Sequence, residues 1–230
     1  MAGARAAVDG RGCARRRWIA AAVALVAVAG LPSTGATGAA PASCSETTVT
    51  APAVADAWIS AEVSSNKGAD TTLDVEADPL GAHTRSLVRF SLPAVPSGCV
   101  LSSAKLSLYT SSGSVGARVE VLRLASAWNE STVLWANQPA SVGVAAVAWS
   151  RDGYMQWNVL EQVRSLLELG NHGFQIRDAA EGSASLEDEG AGHGFNSTEN
   201  AESRPQLVLR FAAPPSGEPP TGPRARFGPN

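Results

Sequence analysis

Apolar side chains recur at every second position over short stretches of this sequence, and this periodicity constrains the fold more than any other feature. Ser86, Val88 and Phe90 alternate with Arg85, Leu87 and Arg89, and residues 104–109 and 206–211 repeat the pattern. Successive side chains of a β-strand point to opposite faces of a sheet. Each stretch is therefore predicted to be a strand with one face against a core.

Turn-forming residues separate these stretches at short intervals, as in Asn66-Lys67-Gly68, Pro96-Ser97-Gly98 and Asp152-Gly153. Many short strands at this spacing are typical of β-sandwiches and jelly rolls. We therefore expect one all-β domain over residues 47–213, an antiparallel β-sandwich with the jelly roll as the favoured arrangement. Residues 214–230, which are rich in Pro and Gly, are predicted to be a disordered tail.

One segment departs from the period of two. The apolar residues that follow helical spacing instead are Leu160, Val163, Leu166 and Leu167. They predict a single short α-helix near residues 159–169. Asn158 and Glu161 have the spacing of an N-terminal capping box, and Gly170-Asn171 fits a helix C-terminus. We expect the helix to cover an open end of the sandwich.

Residues 1–42 are predicted to be a secretory signal peptide. Arg15-Arg16-Arg17 precedes an apolar run over residues 19–31, and Ala40-Pro41-Ala42 offers an Ala-x-Ala cleavage site, with Thr34-Gly35-Ala36 as a second one. A membrane-spanning helix is the alternative, but a span needs roughly 20 apolar residues. We therefore expect a secreted, extracellular protein with no membrane span after cleavage.

Cleavage would remove Cys13 and leave two cysteines, Cys44 and Cys99. An even number of cysteines in an exported chain predicts a disulfide between them, with two buried free thiols as the alternative. Since Cys44 lies close to the start of the predicted domain, the bond would also hold the first strand in place.

The charge balance argues against a nucleic-acid partner. Without residues 1–42 the chain has 13 basic and 20 acidic residues, a net charge of −7. Proteins that bind duplex nucleic acid need a basic surface to neutralise phosphates. No nucleic-acid partner is therefore expected.

A series of motifs gives the sequence a family resemblance. In chain order they are Ala55-Asp56-Ala57-Trp58-Ile59, Asn66-Lys67-Gly68, Arg85-Ser86-Leu87-Val88-Arg89-Phe90, Trp128-Asn129-Glu130 with Trp135 and Pro139, Trp157-Asn158-Val159, Asn171-His172-Gly173-Phe174 and Arg204-Pro205-Gln206-Leu207. Over roughly residues 49–211 this order resembles the DNRLRE domain, also classed as carbohydrate-binding module family 96. The resemblance implies a secreted, non-catalytic β-sandwich that binds carbohydrate, which in some members is acidic polysaccharide. Thr198 stands where the family commonly has Arg between Ser and Glu, so no role of that Arg is carried over.

Basic and aromatic residues at outward strand positions are the candidate carbohydrate-binding site. Arg85 and Arg89 lie on the strand face opposite the core, and Lys105 and Tyr109 take outward positions on the next strand. If the two strands adjoin, the four residues form a positive patch, in which guanidinium groups bind carboxylates of a uronate polymer. A solvated strand face that discourages edge pairing is the alternative.

Tryptophans stack on sugar rings, but they also fill sandwich cores. Four of them lie within the family motifs among apolar strand residues, and core positions are predicted for these: Trp58, Trp128, Trp135 and Trp157. Trp149 lies outside the motifs and is the remaining candidate for stacking.

No cofactor is expected, apart from a structural Ca²⁺ as an option. A group of acids after the predicted helix has the oxygen ligands that Ca²⁺ prefers, namely Asp178, Glu181, Glu187, Asp188 and Glu189. They do not have EF-hand spacing, and a solvated acidic loop is the favoured interpretation. His172 and His193 lie in glycine-flanked segments predicted to be loops.

The sequence has no nucleophile elbow and no phosphate-binding glycine loop before a helix, so no enzyme is predicted. These patterns favour a secreted module that binds polysaccharide, with an anionic polymer as the preferred partner. The alternative is a structural or adhesion module of the cell envelope with a protein partner. A polysaccharide-cleaving enzyme is the third hypothesis.

Overall fold

Ten β-strands and one α-helix make up the part of the chain that the computed structural model describes, residues 43–113, 115–181 and 192–215. The strands are β1 Thr47–Ser60, β2 Thr72–Val75, β3 Thr84–Phe90, β4 Val100–Gly113, β5 Arg118–Leu124, β6 Ser141–Trp149, β7 Gly153–Asn158, β8 Phe174–Asp178, β9 His193–Asn196 and β10 Gln206–Ala212. All named strand pairs are antiparallel. The predicted signal peptide and most of the predicted tail lie outside the described residues.

One strand, β1, takes part in both sheets of the sandwich. Its first part, residues 47–52, pairs with β10, and its second part, residues 53–60, pairs with β3. Sheet 1 contains the first part of β1 together with β10, β4, β7, β9 and β2. Sheet 2 runs from the second part of β1 through β3, β8 and β5 to β6. A β-bulge between Ala53 and Ala55 separates the two parts of β1.

Inward side chains from both sheets form one apolar core. Its fully buried members include Val88 and Phe90 from sheet 2 and Leu106 and Leu108 from sheet 1. Trp157 on β7 joins the sheets, because its indole N–H donates to a carbonyl oxygen of β5 at 2.9 Å. The predicted antiparallel β-sandwich is therefore confirmed, and so is the inward direction of Val88 and Phe90.

Sheet 2 also carries a second apolar cluster on its outer face. Ala57 and Ile59 of β1 and Leu87 of β3 pack there against Trp128 and Val133. The last two residues belong to a segment that we call the 125–140 loop, which includes a 3₁₀ turn. The loop therefore covers part of a sheet face that period-two alternation alone would leave in water.

The helix α1 spans Leu160–Leu169 and confirms the predicted position. It buries Val163 and Leu166 in the core that the two sheets share, and it packs against β4 and β5. Burying two such side chains stabilises the fold by a few kcal/mol in all, at roughly 1.5–3 kcal/mol each. Among the described residues, no helix combines the length and the apolar composition needed to cross a membrane.

The two ends of α1 differ in how well the sequence predicts them. Asn158 Oδ1 accepts the N–H of Leu160 at 3.2 Å, but the predicted capping box is wrong. Glu161 instead pairs with Arg164, one turn along, at 2.9 Å. The helix ends as predicted at Gly170, whose φ of 115° lies in the region that glycine favours.

The predicted disulfide between Cys44 and Cys99 is present. It joins the residues just before β1 to those just before β4, and the two Cα atoms lie 4.8 Å apart. Because 55 positions separate the cysteines, the bond restricts a long loop of the unfolded chain.

We predict that the Cys44→Ser/Cys99→Ser double variant has a free energy of unfolding about 4 kcal/mol lower than that of the wild type, from the loop-closure entropy of this span. Urea denaturation without reductant measures the difference. In a peptide map of unreduced, denatured protein, neither cysteine should react with a thiol reagent. Full labelling at both positions would contradict the bond.

Candidate functional site

Arg85, the first candidate binding residue, is half-buried and bound by neighbouring side chains. Its guanidinium group binds the Glu181 carboxylate through Nε at 2.8 Å and also through Nη2, and Nη1 donates to Gln138 Oε1 at 2.8 Å. The group stacks 4.5 Å from the ring centre of Trp135. The Glu181 side chain is only 5% exposed. Arg85 therefore holds the 125–140 loop against sheet 2.

Arg89, the second candidate, points to the same outer face of sheet 2 and contacts the same loop. Its guanidinium group lies 5.4 Å from the ring centre of Trp128, and Nη1 donates to the Trp128 carbonyl oxygen at 3.3 Å. Trp128 in turn donates its indole N–H to the His172 carbonyl at 2.8 Å. Both arginines thus contact tryptophans of the loop that covers the sheet.

The four candidate residues do not form one patch. The strand β3, which carries Arg85 and Arg89, pairs with β1 and β8 in sheet 2. The strand β4, which carries Lys105 and Tyr109, pairs with β10, β7 and β9 in sheet 1. The condition for a single patch, that the two strands adjoin, is therefore not met, because the strands belong to different sheets.

Lys105 and Tyr109 do lie together, on the outer face of sheet 1. We call this surface the tyrosine face and define it by nine outward residues on three strands: Lys105, Ser107, Tyr109, Tyr154, Gln156, Asn158, Gln206, Val208 and Arg210. Tyr109 and Tyr154 are cross-strand partners whose ring centres lie 5.2 Å apart, edge to face. Gln206 donates its side-chain amide to the Tyr154 hydroxyl at 3.4 Å.

The charge of the tyrosine face differs from that of the domain. None of its nine residues carries a carboxylate, although acids outnumber bases in residues 43–230. Arg210 pairs with Glu46 at 2.9 Å, and both side chains are more than half exposed. Lys105 is exposed and forms no ion pair with any residue that the structure describes. The face therefore offers an available positive charge on the same surface as an aromatic pair.

The edge strand β6 carries the most exposed tryptophan of the described residues. Trp149 is 65% exposed and lies opposite Arg118 of β5. The neighbouring outward pair joins Val147 to Glu120, and Glu120 binds Arg177 at 2.9 Å. This strip differs from the tyrosine face, because one of its own outward residues, Glu120, carries a carboxylate.

The other four tryptophans, for which core positions were predicted, are buried to different extents. Trp157 and Trp128 are buried, with 1% and 8% exposure. Trp58 and Trp135 are half-buried, and each has a cation over its ring, Lys67 for the first and Arg85 for the second. Trp58 also donates its indole N–H to Asp70 at 2.9 Å.

Two of the acids after α1 that the sequence offered as an optional Ca²⁺ group lie within the described residues, and both have other contacts. Glu181 forms the ion pair with Arg85, and Asp178 Oδ1 accepts the N–H of Ala180 at 2.8 Å. Glu187, Asp188 and Glu189 lie outside the described residues. The Ca²⁺ option at this position therefore stays a prediction.

A different group of carboxylates, which the sequence did not predict, comes together beside β1. One oxygen each from Asp56, Glu130 and Glu199 lies within 4.8 Å of the others. Asp56 is fully buried, and burial, with repulsion from Glu199 and Glu130, raises its pKa to about 7 against two opposing hydrogen bonds from Thr198. No local spacing could reveal this group, because its members come from three distant segments.

Backbone contacts hold these acids in place. Glu130 Oε1 accepts the N–H of Asp56 at 2.7 Å, and Asp56 Oδ2 accepts the N–H of Thr198 at 2.8 Å. Asn66 donates its amide to the Glu130 carbonyl at 2.7 Å. A Cβ at Gly68 would overlap that carbonyl, so glycine permits the close approach.

A cleft of about 400 Å³ adjoins β2 and β9. His193 lies there in β9, buried, so the prediction of a loop position was wrong for this residue. Burial lowers the pKa of His193, with Asp178 acting in the opposite direction. Burial, and then Asp70 and Glu76, raise the pKa of Asp74. Shifted pKa values occur at functional sites and in structural clusters alike.

A comparison with known families assigns the chain to one of them. The model of carbohydrate-binding module family 96 matches residues 47–211, which is well over half of the chain. The chain belongs to this family. A search of curated proteins gave no match.

A member of carbohydrate-binding module family 96 needs a surface that a carbohydrate can reach. The tyrosine face and the Trp149 strip are open, whereas Arg85 and Arg89 are occupied by the 125–140 loop. Of the four residues predicted from the sequence, the structure thus brings Lys105 and Tyr109 together, and it adds Tyr154 and Gln206 to them.

We predict that Arg85→Gln lowers the free energy of unfolding by about 3 kcal/mol, because Glu181 would stay buried without its counter-charge. Arg210→Gln is the matched control: its pair with Glu46 is exposed, so the loss should stay below about 1 kcal/mol. Urea denaturation measures both variants. Equally small losses would show that Arg85 does not hold the loop.

Proposed function

We propose that this module binds polysaccharide without catalysis on the tyrosine face, and that it prefers anionic chains. The observation that carries the proposal is the Tyr109–Tyr154 pair on the same face as Lys105, which pairs with no described acid. None of the nine residues that define this face is acidic. An aromatic ring gives a sugar an apolar surface for stacking, while its hydroxyl stays available for hydrogen bonding.

The polar residues of the face supply the remaining contacts. Gln156 and Gln206 are exposed and lie on either side of Ser107, so two amide groups flank the middle of the face. Lys105 lies four residues from Tyr109 along β4, roughly 13 Å at the rise of an extended strand. This length suits several units of an extended chain better than a single sugar.

Electrostatics supports the preference for anionic chains. The net negative charge of residues 43–230 would repel a polyuronate, but none of the nine residues of the tyrosine face is acidic, and the face presents the Lys105 ammonium group. Exposed charges are screened over roughly 8 Å at physiological ionic strength. Ionic contacts should therefore weaken as salt is added, and stacking should not.

We predict that Tyr154→Ala raises the Kd for a polyuronate by roughly 3- to 10-fold, which corresponds to the loss of one aromatic stacking contact. Lys105→Gln should raise the Kd several-fold at low salt, have little effect at high salt, and leave binding to a neutral polymer unchanged. Affinity electrophoresis in gels containing each polymer measures the Kd, and thermal unfolding checks that the variants fold.

The matched control is Trp149→Ala, which removes an exposed aromatic residue from sheet 2. If only this variant loses binding, the site lies on the Trp149 strip and the tyrosine face is excluded. If the wild type binds no polysaccharide, the alternative of an adhesion module with a protein partner replaces the proposal. Release of sugar from any polymer would instead establish the enzyme hypothesis.

We also infer that the protein acts outside the cell. The Cys44–Cys99 disulfide supports this inference, since such bonds persist in oxidising compartments. N-terminal sequencing of the protein recovered from the medium should give a first residue soon after Ala42 or Ala36. An intact N-terminus on a cell-associated protein would contradict cleavage.

A further inference from the structure

We propose that Asp56, Glu130 and Glu199 form a Ca²⁺ site that ties three separate segments of the domain together. The site is distinct from the tyrosine face and from the acids after α1. It joins β1, the 125–140 loop and the connection between β9 and β10.

The spacing of the three carboxylates fits one cation. Ca²⁺ binds oxygen ligands at 2.3–2.6 Å, so two oxygens in one coordination shell lie at most about 5 Å apart. Within this group one oxygen from each residue lies within 4.8 Å of the others. The shell can therefore form with little movement of the chain.

An unpartnered oxygen of Asp56 is a second observation in favour of a ligand at this place. Asp56 is fully buried, yet its Oδ1 accepts no hydrogen bond from any described residue. A buried polar atom without a partner is costly, and such atoms in native proteins often mark an ion or a water molecule. The other oxygen, Oδ2, is already bound to the N–H of Thr198.

The charge of the group points to a cation as the missing partner. None of the three acids forms an ion pair with a described Lys, Arg or His; the nearby Lys67 pairs with Asp70 at 3.5 Å. Three carboxylates this close repel one another unless protons or a cation lie between them. A divalent cation would offset two of the three negative charges and bind Asp56 Oδ1 as well.

The chemistry of the ligands selects Ca²⁺ among divalent cations. The group contains only oxygen donors, whereas zinc sites use mainly His and Cys. Glu199 is exposed, so water can complete the six to eight ligands that Ca²⁺ takes. Mg²⁺ requires near-ideal octahedral geometry and gives up water reluctantly, so a group drawn from three segments suits it less well.

The direct test is calorimetric titration of the full chain with CaCl₂ after removal of metals with EDTA. We expect one bound Ca²⁺ per chain with a Kd on the order of 10⁻⁴ M, in the range of extracellular modules. Tb³⁺ should bind in place of Ca²⁺ and luminesce on tryptophan excitation, because Trp58 and Trp128 each lie two residues from a ligand. The thermal unfolding temperature should rise with Ca²⁺ concentration.

Two variants in the segment that connects β9 to β10 distinguish the loss of a Ca²⁺ ligand from the general effect of removing a negative charge. Glu199→Gln removes one ligand from an exposed position and should raise the Kd for Ca²⁺ at least tenfold. Glu202→Gln removes the same charge three residues away and should leave the Kd unchanged, because its contacts in this loop are made by its backbone.

Asp56→Asn provides a check that does not depend on Glu199. It should abolish Ca²⁺ binding and the Tb³⁺ signal, and thermal unfolding without metal shows whether the variant folds. No stoichiometric Ca²⁺ binding by the wild type, or equal binding by wild type and Glu199→Gln, would overturn the proposal. Tighter binding of Mg²⁺ than of Ca²⁺ would overturn the assignment of the ion. None of these readouts involves carbohydrate.

Discussion

The continuous backbone of β1 holds the two sheets together, because its first part pairs with β10 and its second part pairs with β3. The bulge between Ala53 and Ala55 adds one residue at the passage from one sheet to the other. An added residue reverses which set of alternate side chains faces the core. Ala51 lies in the shared core before the bulge, and Ala57 lies on the outer face of sheet 2 after it.

This reversal places a carboxylate where an apolar residue would be expected. After the bulge, Ala55 and Ala57 point outward to the cluster under the 125–140 loop, so Asp56 between them points to the other side and is fully buried. The neighbouring acids and the Thr198 N–H then define its surroundings. One irregularity in one strand is thus the origin of the acidic group.

Much of the fold follows from the sequence by local rules. Alternation over residues 86–90 identified both the strand and the inward direction of Val88 and Phe90, and helical spacing identified α1. The even number of cysteines left after removal of residues 1–42 predicted the disulfide. These predictions succeeded because each depends on residues close in the chain or on a simple count.

Which strands adjoin depends on distant pairing, and local patterns do not contain that information. The sequence gives Arg85 and Lys105 the same outward character, yet they lie on different sheets. A pattern also does not show that the 125–140 loop returns over sheet 2 and brings Trp135 to Arg85. Arginine and tryptophan are residues that bind acidic sugars well, and here they bind each other.

The Cys44–Cys99 bond determines how a mechanical load would enter the domain. Tension applied ahead of Cys44 passes through the covalent bond to Cys99 and so to the beginning of β4, an interior strand of sheet 1. The hydrogen bonds between β1 and β10 are then not the first to be pulled apart. A pull on the residues ahead of Cys44 would thus load an interior strand instead of peeling away the first one.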